Sequence, residues 1–122
     1  MTSKQLLLTG AVLGLLSVAL GAFGAHAFKA TLTANNRVDT YELAVRYQFI
    51  HALAFLFAGL WVGQGTWAGG YAWLAGVVLF SGSLYVLAFT NSTALPVVLS
   101  TPLGGMMFLV GWVMLIAAVW KK

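Results

Sequence analysis

Four apolar runs, each about twenty residues long, divide this chain and constrain its fold more than any other feature. A helix needs about 20 apolar residues to cross the hydrocarbon of a bilayer. The runs cover approximately residues 5–28, 39–62, 68–90 and 102–120. Only 7% of the residues are charged, against roughly 25% in a soluble domain. The sequence therefore predicts one all-α membrane domain over residues 1–122, folded as an antiparallel four-helix transmembrane bundle.

The remaining composition excludes several classes of protein. The chain has no cysteine, which excludes a disulfide scaffold and thiol chemistry. Its formal net charge is +4, but the cations stand singly or at the chain ends, whereas a nucleic-acid surface needs a clustered basic stripe. We therefore expect membrane lipid as a partner and no nucleic acid, and we predict no cofactor.

The first run has a second interpretation. Lys4, an apolar stretch and Ala25-His26-Ala27 are also typical of a secretory signal with an A-x-A cleavage site. The run is longer than the roughly 7–15 residues of a signal core. We therefore interpret it as a retained transmembrane helix.

Helix boundaries are indicated by capping and turn residues. Asp39 followed by Glu42 fits an N-cap with an acid three positions later, so the second long helix should begin near Asp39. Glu42 and Arg46 then lie one turn apart and should form an ion pair. Pro102 is expected in the first turn of the last helix, where its missing N–H costs nothing.

The cations give little guidance on orientation. An even number of spans puts both termini on one side of the membrane, and the two sides then carry three cations each: Lys4, Lys121 and Lys122 against Lys29, Arg37 and Arg46. We expect Arg46 to belong partly to the membrane, which leaves an excess of cations at the termini. The positive-inside rule then places both termini in the cytoplasm.

Small residues recur at helical spacing in the first and last runs. Such residues bring helix backbones close together in lipid. The first run carries Gly10, Gly14, Ser17 and Gly21, and the last run carries Gly104 and Gly111. We interpret both series as helix-packing faces inside the bundle, and the protein's small size leaves room for a homo-oligomer or a membrane-protein partner.

Polar residues gather at the end of the bundle opposite the termini and form the candidate site. His51 lies about two turns into the second long helix, and polar groups at such depth normally face the protein interior. Gln48 and Tyr47 flank His51 on the same side of the helix. The complete candidate set is His26, Glu42, Arg46, Tyr47, Gln48, His51 and Tyr85.

Three interpretations of this site stay open at the level of sequence. His26 and His51 together would ligate haem or a metal, although a tight metal site usually needs three or four ligands, and we predict none. A proton or small-solute path would use His51 and Glu42, although the two side chains point to opposite sides of an ideal helix, since nine residues turn it by about 180°. In the third interpretation, hydrogen bonds to Gln48, Tyr85 or loop carbonyls satisfy the histidines and hold the helices together.

Four motifs in order along the chain resemble one known family. They are Gly21-Ala22-Phe23-Gly24-Ala25-His26-Ala27, Tyr47-Gln48-Phe49-Ile50-His51-Ala52-Leu53-Ala54, Gly82-Ser83-Leu84-Tyr85, and Pro102-Leu103-Gly104-Gly105 with Gly111-Trp112. The chain resembles the small multi-pass membrane family that includes the bacterial YgdD-like proteins and mitochondrial transmembrane protein 256. The resemblance implies an inner-membrane protein with four spans and no assigned reaction, and it points again to His26, Gln48 and His51.

No catalytic motif is complete. Ser81-Gly82-Ser83 lies inside an apolar run without the strand-to-helix turn of a nucleophilic serine, and the chain has only two acids. We therefore expect a non-enzymatic protein that acts through a partner, lipid or its own association. The alternatives are a small-solute or proton transporter around His51 and a haem or metal protein using His26 and His51.

Overall fold

The computed structural model describes the whole chain, Met1–Lys122. Four helices are long and apolar enough to cross a membrane: α1 (Ser3–Ala25), α3 (Val38–Val62), α4 (Gly69–Thr90) and α5 (Leu95–Lys121). A short helix, α2 (Lys29–Ala34), lies between α1 and α3. The prediction of an all-α four-helix membrane protein is confirmed.

The four long helices pack in the order in which they occur in the chain. Helix α1 packs on α3, α3 packs on α4, and α4 packs on α5, each pair antiparallel. Helices α3 and α4 are central. In the most apolar 18-residue stretch of each, 44% of the residues are buried, against 17% in the same stretch of α1 and of α5. The two outer helices therefore expose most of their surface, which is available to lipid.

Glycines and serines allow α1 and α3 to approach closely. A Cβ atom on Gly10 would lie 2.8 Å from the carbonyl oxygen of Ala52, and one on Gly59 would lie 2.7 Å from Cγ of Leu7. The hydroxyl of Ser3 donates to the carbonyl of Gly59 at 2.7 Å. This contact leaves no space for side chains on the glycines, so the small residues determine how near the two backbones come.

Helices α4 and α5 pack together at glycines, against which aromatic residues of the other helix lie. The Cα of Gly104 packs on the backbone of Phe80, and that of Gly111 packs on the indole of Trp73. In the opposite direction, Gly76 of α4 receives the ring of Phe108. Gly76, Gly104 and Gly111 thus face a neighbouring helix of the same chain.

Helix α4 contains a π-helical turn at Val77–Ser81. A π turn inserts an extra residue and rotates the following side chains around the helix axis. Ser81 consequently faces α3, where its hydroxyl donates to the carbonyl of Ala44 at 2.8 Å. Ser83 faces α5, where its hydroxyl lies 2.6 Å from that of Thr101. The turn lets one helix present polar groups to both neighbours.

The N-terminus is attached to the connection between α3 and α4. The amino group of Met1 donates to the carbonyl of Trp67 at 2.8 Å, and the amide of Trp67 donates to the carbonyl of Met1 at 2.9 Å. The side chain of Thr2 caps α1, and Gln5 completes the capping box. This end of the bundle also holds Lys122, whose Nζ lies 4.3 Å from the ring centroid of Trp61.

Three local predictions were wrong. Helix α5 begins at Leu95 instead of near residue 102, because Pro96 occupies its first turn and Pro102 lies inside it. A membrane helix tolerates such an interior proline, since neighbouring groups satisfy the freed carbonyl. Asp39 is not the cap of α3: it lies in the first turn, after Arg37 at the cap position. Helix α1 ends at Ala25, three residues early, and the chain then forms α2.

The α1–α3 contact offers a matched pair of substitutions. Gly10→Ala places a methyl group against the Ala52 carbonyl, whereas a Cβ on Gly14 has its nearest neighbour at 4.0 Å. We expect Gly10→Ala to lower the free energy of unfolding by roughly 1–3 kcal/mol through overpacking. Gly14→Ala should be neutral or slightly stabilising. Equilibrium unfolding in detergent measures both, and equal effects of the two variants would contradict the close contact described.

Candidate functional site

A hydrogen-bonded polar chain joins three helices at the centre of the bundle. The hydroxyl of Tyr85 on α4 donates to Oε1 of Gln48 on α3 at 2.6 Å, and Nε2 of Gln48 donates to the carbonyl of Leu13 on α1 at 3.2 Å. The hydroxyl of Ser17 donates to the same carbonyl at 2.7 Å. Gln48 is 3% exposed. Its buried amide cannot bond to water, so these protein hydrogen bonds take the place of bonds to water. The candidates Gln48 and Tyr85 therefore meet.

His51 is also buried, but its partners are different. Its Nδ1 lies 2.8 Å from the carbonyl oxygen of Tyr47, and its Nε2 accepts a hydrogen bond from Nε1 of Trp112 at 3.1 Å. The imidazole stacks on Phe108 with a centroid distance of 3.8 Å and an interplanar angle of 13°. The expected partners Gln48 and Tyr85 bond to each other instead. His51 is contacted by the aromatic side chains of α5, namely Phe108 and Trp112.

These two bonds define the form of the imidazole. Indole Nε1 is only a donor, so Nε2 of His51 must be the unprotonated acceptor. A carbonyl is only an acceptor, so Nδ1 carries the proton. The arrangement holds a neutral imidazole in one tautomer, and a second proton would have to displace Trp112. The geometry gives no support to a proton path through His51.

His26 lies elsewhere. It follows the last residue of α1, is exposed, and its backbone amide bonds to the carbonyl of Phe23. His51 instead contacts Trp73 of α4 and Phe108 and Trp112 of α5. The structure does not bring the two histidines together, and no group of three or more His, Cys, Asp or Glu side chains is placed to hold a metal.

Sequence reasoning missed several of the interior polar contacts. Besides Ser17, Gln48 and His51, the buried polar side chains are Ser81 and Ser83, and each of the five makes a hydrogen bond. Tyr41, also buried, donates through its hydroxyl to the carbonyl of Leu20. Small polar residues within an apolar run were the available signal. The indole N–H groups of Trp67 and Trp73 are buried without a partner.

An open cleft of about 590 Å³ lies beside the first half of α3, and we name it the interfacial cleft. Helices α1 and α2 form its other walls. Gly21 lines the cleft, where a Cβ would be 3.6 Å from Cγ1 of Val45, and Gly24 makes room for the ring of Tyr41. The lining residues are Gly21, Gly24, Ala25, Lys29, Leu32, Val38, Tyr41, Glu42, Val45, Arg46, Phe49 and Ile50.

Three charged side chains share the interfacial cleft without neutralising one another. Lys29, Glu42 and Arg46 line it and are exposed. The predicted ion pair between Glu42 and Arg46 is wrong, because no N···O distance between them is 4.0 Å or less. Pairs one turn apart on a helix contribute only a few tenths of a kcal/mol, so their spacing alone does not require the two ions to meet. Both ions remain free to contact a ligand.

The helices and their hydrogen-bonded interior define an integral membrane protein with four transmembrane helices. A profile described as "Protein of unknown function (DUF423)" matches residues 20–105. The chain is 40% identical to the UPF0382 membrane protein SH2409 of Staphylococcus haemolyticus, over 97% of each chain. It is 40% identical to the UPF0382 membrane protein YwdK of Bacillus subtilis, over 97% of this chain and 98% of the relative.

A third relative is the UPF0382 inner membrane protein YgdD of Escherichia coli (strain K12), 40% identical over 100% of this chain and 95% of YgdD. The chain belongs to this DUF423 family, and the resemblance seen in its motifs is confirmed. No solved structure matches it.

Two substitutions of His51 separate packing from hydrogen bonding. His51→Ala removes a buried ring that stacks on Phe108, and we expect a loss of roughly 2–5 kcal/mol in unfolding free energy. His51→Phe keeps a ring but loses the bond from Trp112, and membrane double-mutant cycles assign such bonds about 0.6–1.7 kcal/mol. Unfolding in detergent tests both. If His51→Ala unfolds like the wild type, the buried histidine does not hold the helices together.

Proposed function

We propose that the chain is a non-enzymatic inner-membrane protein that acts by binding membrane lipid in the interfacial cleft. The observation that carries this proposal is the cleft itself, because it combines unpaired charges with apolar walls that face the hydrocarbon. Phe49 is 37% exposed and Ile50 is 46% exposed. A volume of about 590 Å³ lies within the range of small-molecule sites.

The interior of the bundle supports a non-catalytic role. The buried hydroxyl, amide and imidazole groups bond to carbonyls or side chains of the same chain. Polar groups used in this way replace hydrogen bonds to water and hold helices together. The charged residues of the cleft are different, since Lys29, Glu42 and Arg46 are exposed and available to a ligand.

The use of the small residues favours lipid over self-association. Gly10 packs on α3, and the hydroxyl of Ser17 bonds within α1. Gly104 and Gly111 pack on α4. A second copy of the chain would therefore have to dock on large apolar side chains, such as Leu15, Leu109 and Ile116, which are 65–70% exposed. Scattered side chains of this kind are the normal lipid-facing surface of a membrane protein.

We also propose that both termini lie in the cytoplasm. Arg46 lies eight residues inside α3 and lines the cleft. The cations outside the spans at this end of the bundle are therefore Lys29 and Arg37. Lys4, Lys121 and Lys122 lie at the other end, and the excess of cations indicates the cytoplasmic side.

Reporter fusions test the orientation. A green fluorescent protein fused after Lys122 should fluoresce, and alkaline phosphatase fused at the same residue should be inactive, because the phosphatase folds only outside the cytoplasm. As a control, alkaline phosphatase fused after Asn36, beyond α2, should be active. The reverse pattern at both fusion points would show that the termini lie outside.

A glycine substitution tests lipid binding at the cleft. Gly21→Leu places a large side chain in the cleft. A Cβ at this position lies 3.6 Å from Cγ1 of Val45, an ordinary van der Waals distance, so the helices need not move apart. Native mass spectrometry of the purified protein should detect one bound phospholipid in the wild type and severalfold less in Gly21→Leu. Gly105→Leu on α5, outside the cleft, is the matched control, since a Cβ there lies 3.9 Å from Phe80 of α4. Equal lipid retention in both variants would reject the proposal.

A further inference from the structure

We propose that the interfacial cleft selects an anionic phospholipid, whose phosphate contacts Arg46 and Lys29. This inference rests on the proposed function and names the class of lipid that the site takes. The expected ligand has a headgroup of net charge −1, and its acyl chain lies against Val45, Phe49 and Ile50 along α3. Glycerol phospholipids such as phosphatidylglycerol have this chemistry.

The depth of Arg46 is the first argument. The opposite interface is marked by Trp61 and Lys122, whose side chains contact each other. Arg46 and Trp61 are separated by about 22 Å of helix at 1.5 Å per residue, less than the roughly 30 Å of the hydrocarbon core. The Cα of Arg46 therefore lies below the headgroups, and its long side chain must extend upwards to reach them.

The absence of an internal counter-ion is the second argument. A cation near the hydrocarbon normally pairs or reaches a phosphate, since an unpaired charge there is costly. Arg37, at the same end of the bundle, donates from Nε to Oδ1 of Asn91 at 2.7 Å. Lys29 and Arg46 have no salt bridge with Glu42 or any other group of the chain. Their counter-ion must come from outside the chain.

The charge balance of the cleft is the third argument. Two cations and one carboxylate give the site a net charge of +1, which an anionic headgroup neutralises and a zwitterionic headgroup does not. A guanidinium recognises phosphate oxygens through two parallel N–H groups. Glu42 lies one turn from Arg46 and is placed to accept a hydrogen bond from headgroup hydroxyls. The apolar walls below favour a phosphate that carries acyl chains over a free phosphate.

The experiment measures headgroup preference directly. Purified full-length protein is equilibrated in detergent with equal amounts of phosphatidylglycerol and phosphatidylcholine of identical acyl chains, and bound lipid is identified by native mass spectrometry. We expect the wild type to retain phosphatidylglycerol at least fivefold over phosphatidylcholine. Arg46→Gln and Lys29→Gln should each reduce this ratio about fivefold, the factor that about 1 kcal/mol per interfacial cation corresponds to.

The controls separate a site from general surface charge. Arg37→Gln removes one cation at the same end of the bundle but outside the cleft, and it should leave the ratio unchanged. Arg46→Lys keeps the charge and should keep most of the preference, and exposed Lys29 gives a second variant should the Arg46 substitutions fail to fold. Glu42→Gln should raise the ratio, since it removes a negative charge from the site.

Each alternative outcome has a distinct meaning. If Arg46→Gln and Lys29→Gln leave the ratio unchanged while Gly21→Leu still loses lipid, the cleft binds lipid without reading its charge, and only this inference fails. If the wild type retains no lipid, the proposed function fails with it. If millimolar glycerol 3-phosphate displaces the bound lipid, the site recognises a soluble phosphate, which also overturns the assignment.

Discussion

Hydrocarbon offers no water to a buried polar group, and most of this structure follows from that constraint. Side chains on α3 and α4 donate to backbone carbonyls of neighbouring helices: Gln48 to Leu13, Tyr41 to Leu20 and Ser81 to Ala44. Such bonds span two helices only where the backbones are close. The close approach depends on residues without bulky side chains, as at Gly10 and Gly59. Packing and polar satisfaction are therefore one requirement here, since a larger residue at the contact would separate the donors on one helix from the carbonyls on the next.

Those features that depend on composition and periodicity could be predicted from the sequence. The four spans follow from hydropathy, because each must match the thickness of the hydrocarbon. The burial of Gln48 and His51 follows from their depth, since a polar residue in mid-membrane faces the interior. The family also could be recognised from motifs alone, because those motifs contain residues that contact a neighbouring helix: Gly24, Gln48, Tyr85 and Gly104.

The remaining features depend on where side chains reach in three dimensions. The π turn at Val77–Ser81 has no sequence signature, yet it decides which helix Ser81 contacts. The pairing of His51 with Trp112 joins residues on helices whose backbones are not in close contact, so helical spacing along one run could not identify it. Proline is common in the first turn of a helix, which favoured a start at Pro102, but the helix begins at Leu95 and the proline in its first turn is Pro96. The Glu42–Arg46 pair was expected from spacing, although its small energy does not require the ions to meet.

The position of the cleft gives a physical reason why a ligand there would affect the whole bundle. Helix α1 is an outer helix that packs mainly on α3, and the glycines that open the cleft, Gly21 and Gly24, lie in its last turns. Tyr41 lines the cleft and also bonds to the carbonyl of Leu20, so a wall of the site belongs to the α1–α3 contact. A molecule held by Lys29 of α2 and Arg46 of α3 would touch all three elements at once. Because any ligand that binds only the folded state stabilises it, occupancy of the cleft would strengthen the attachment of α1, while α4 and α5 remain joined to α3 through Tyr85 and the aromatic rings.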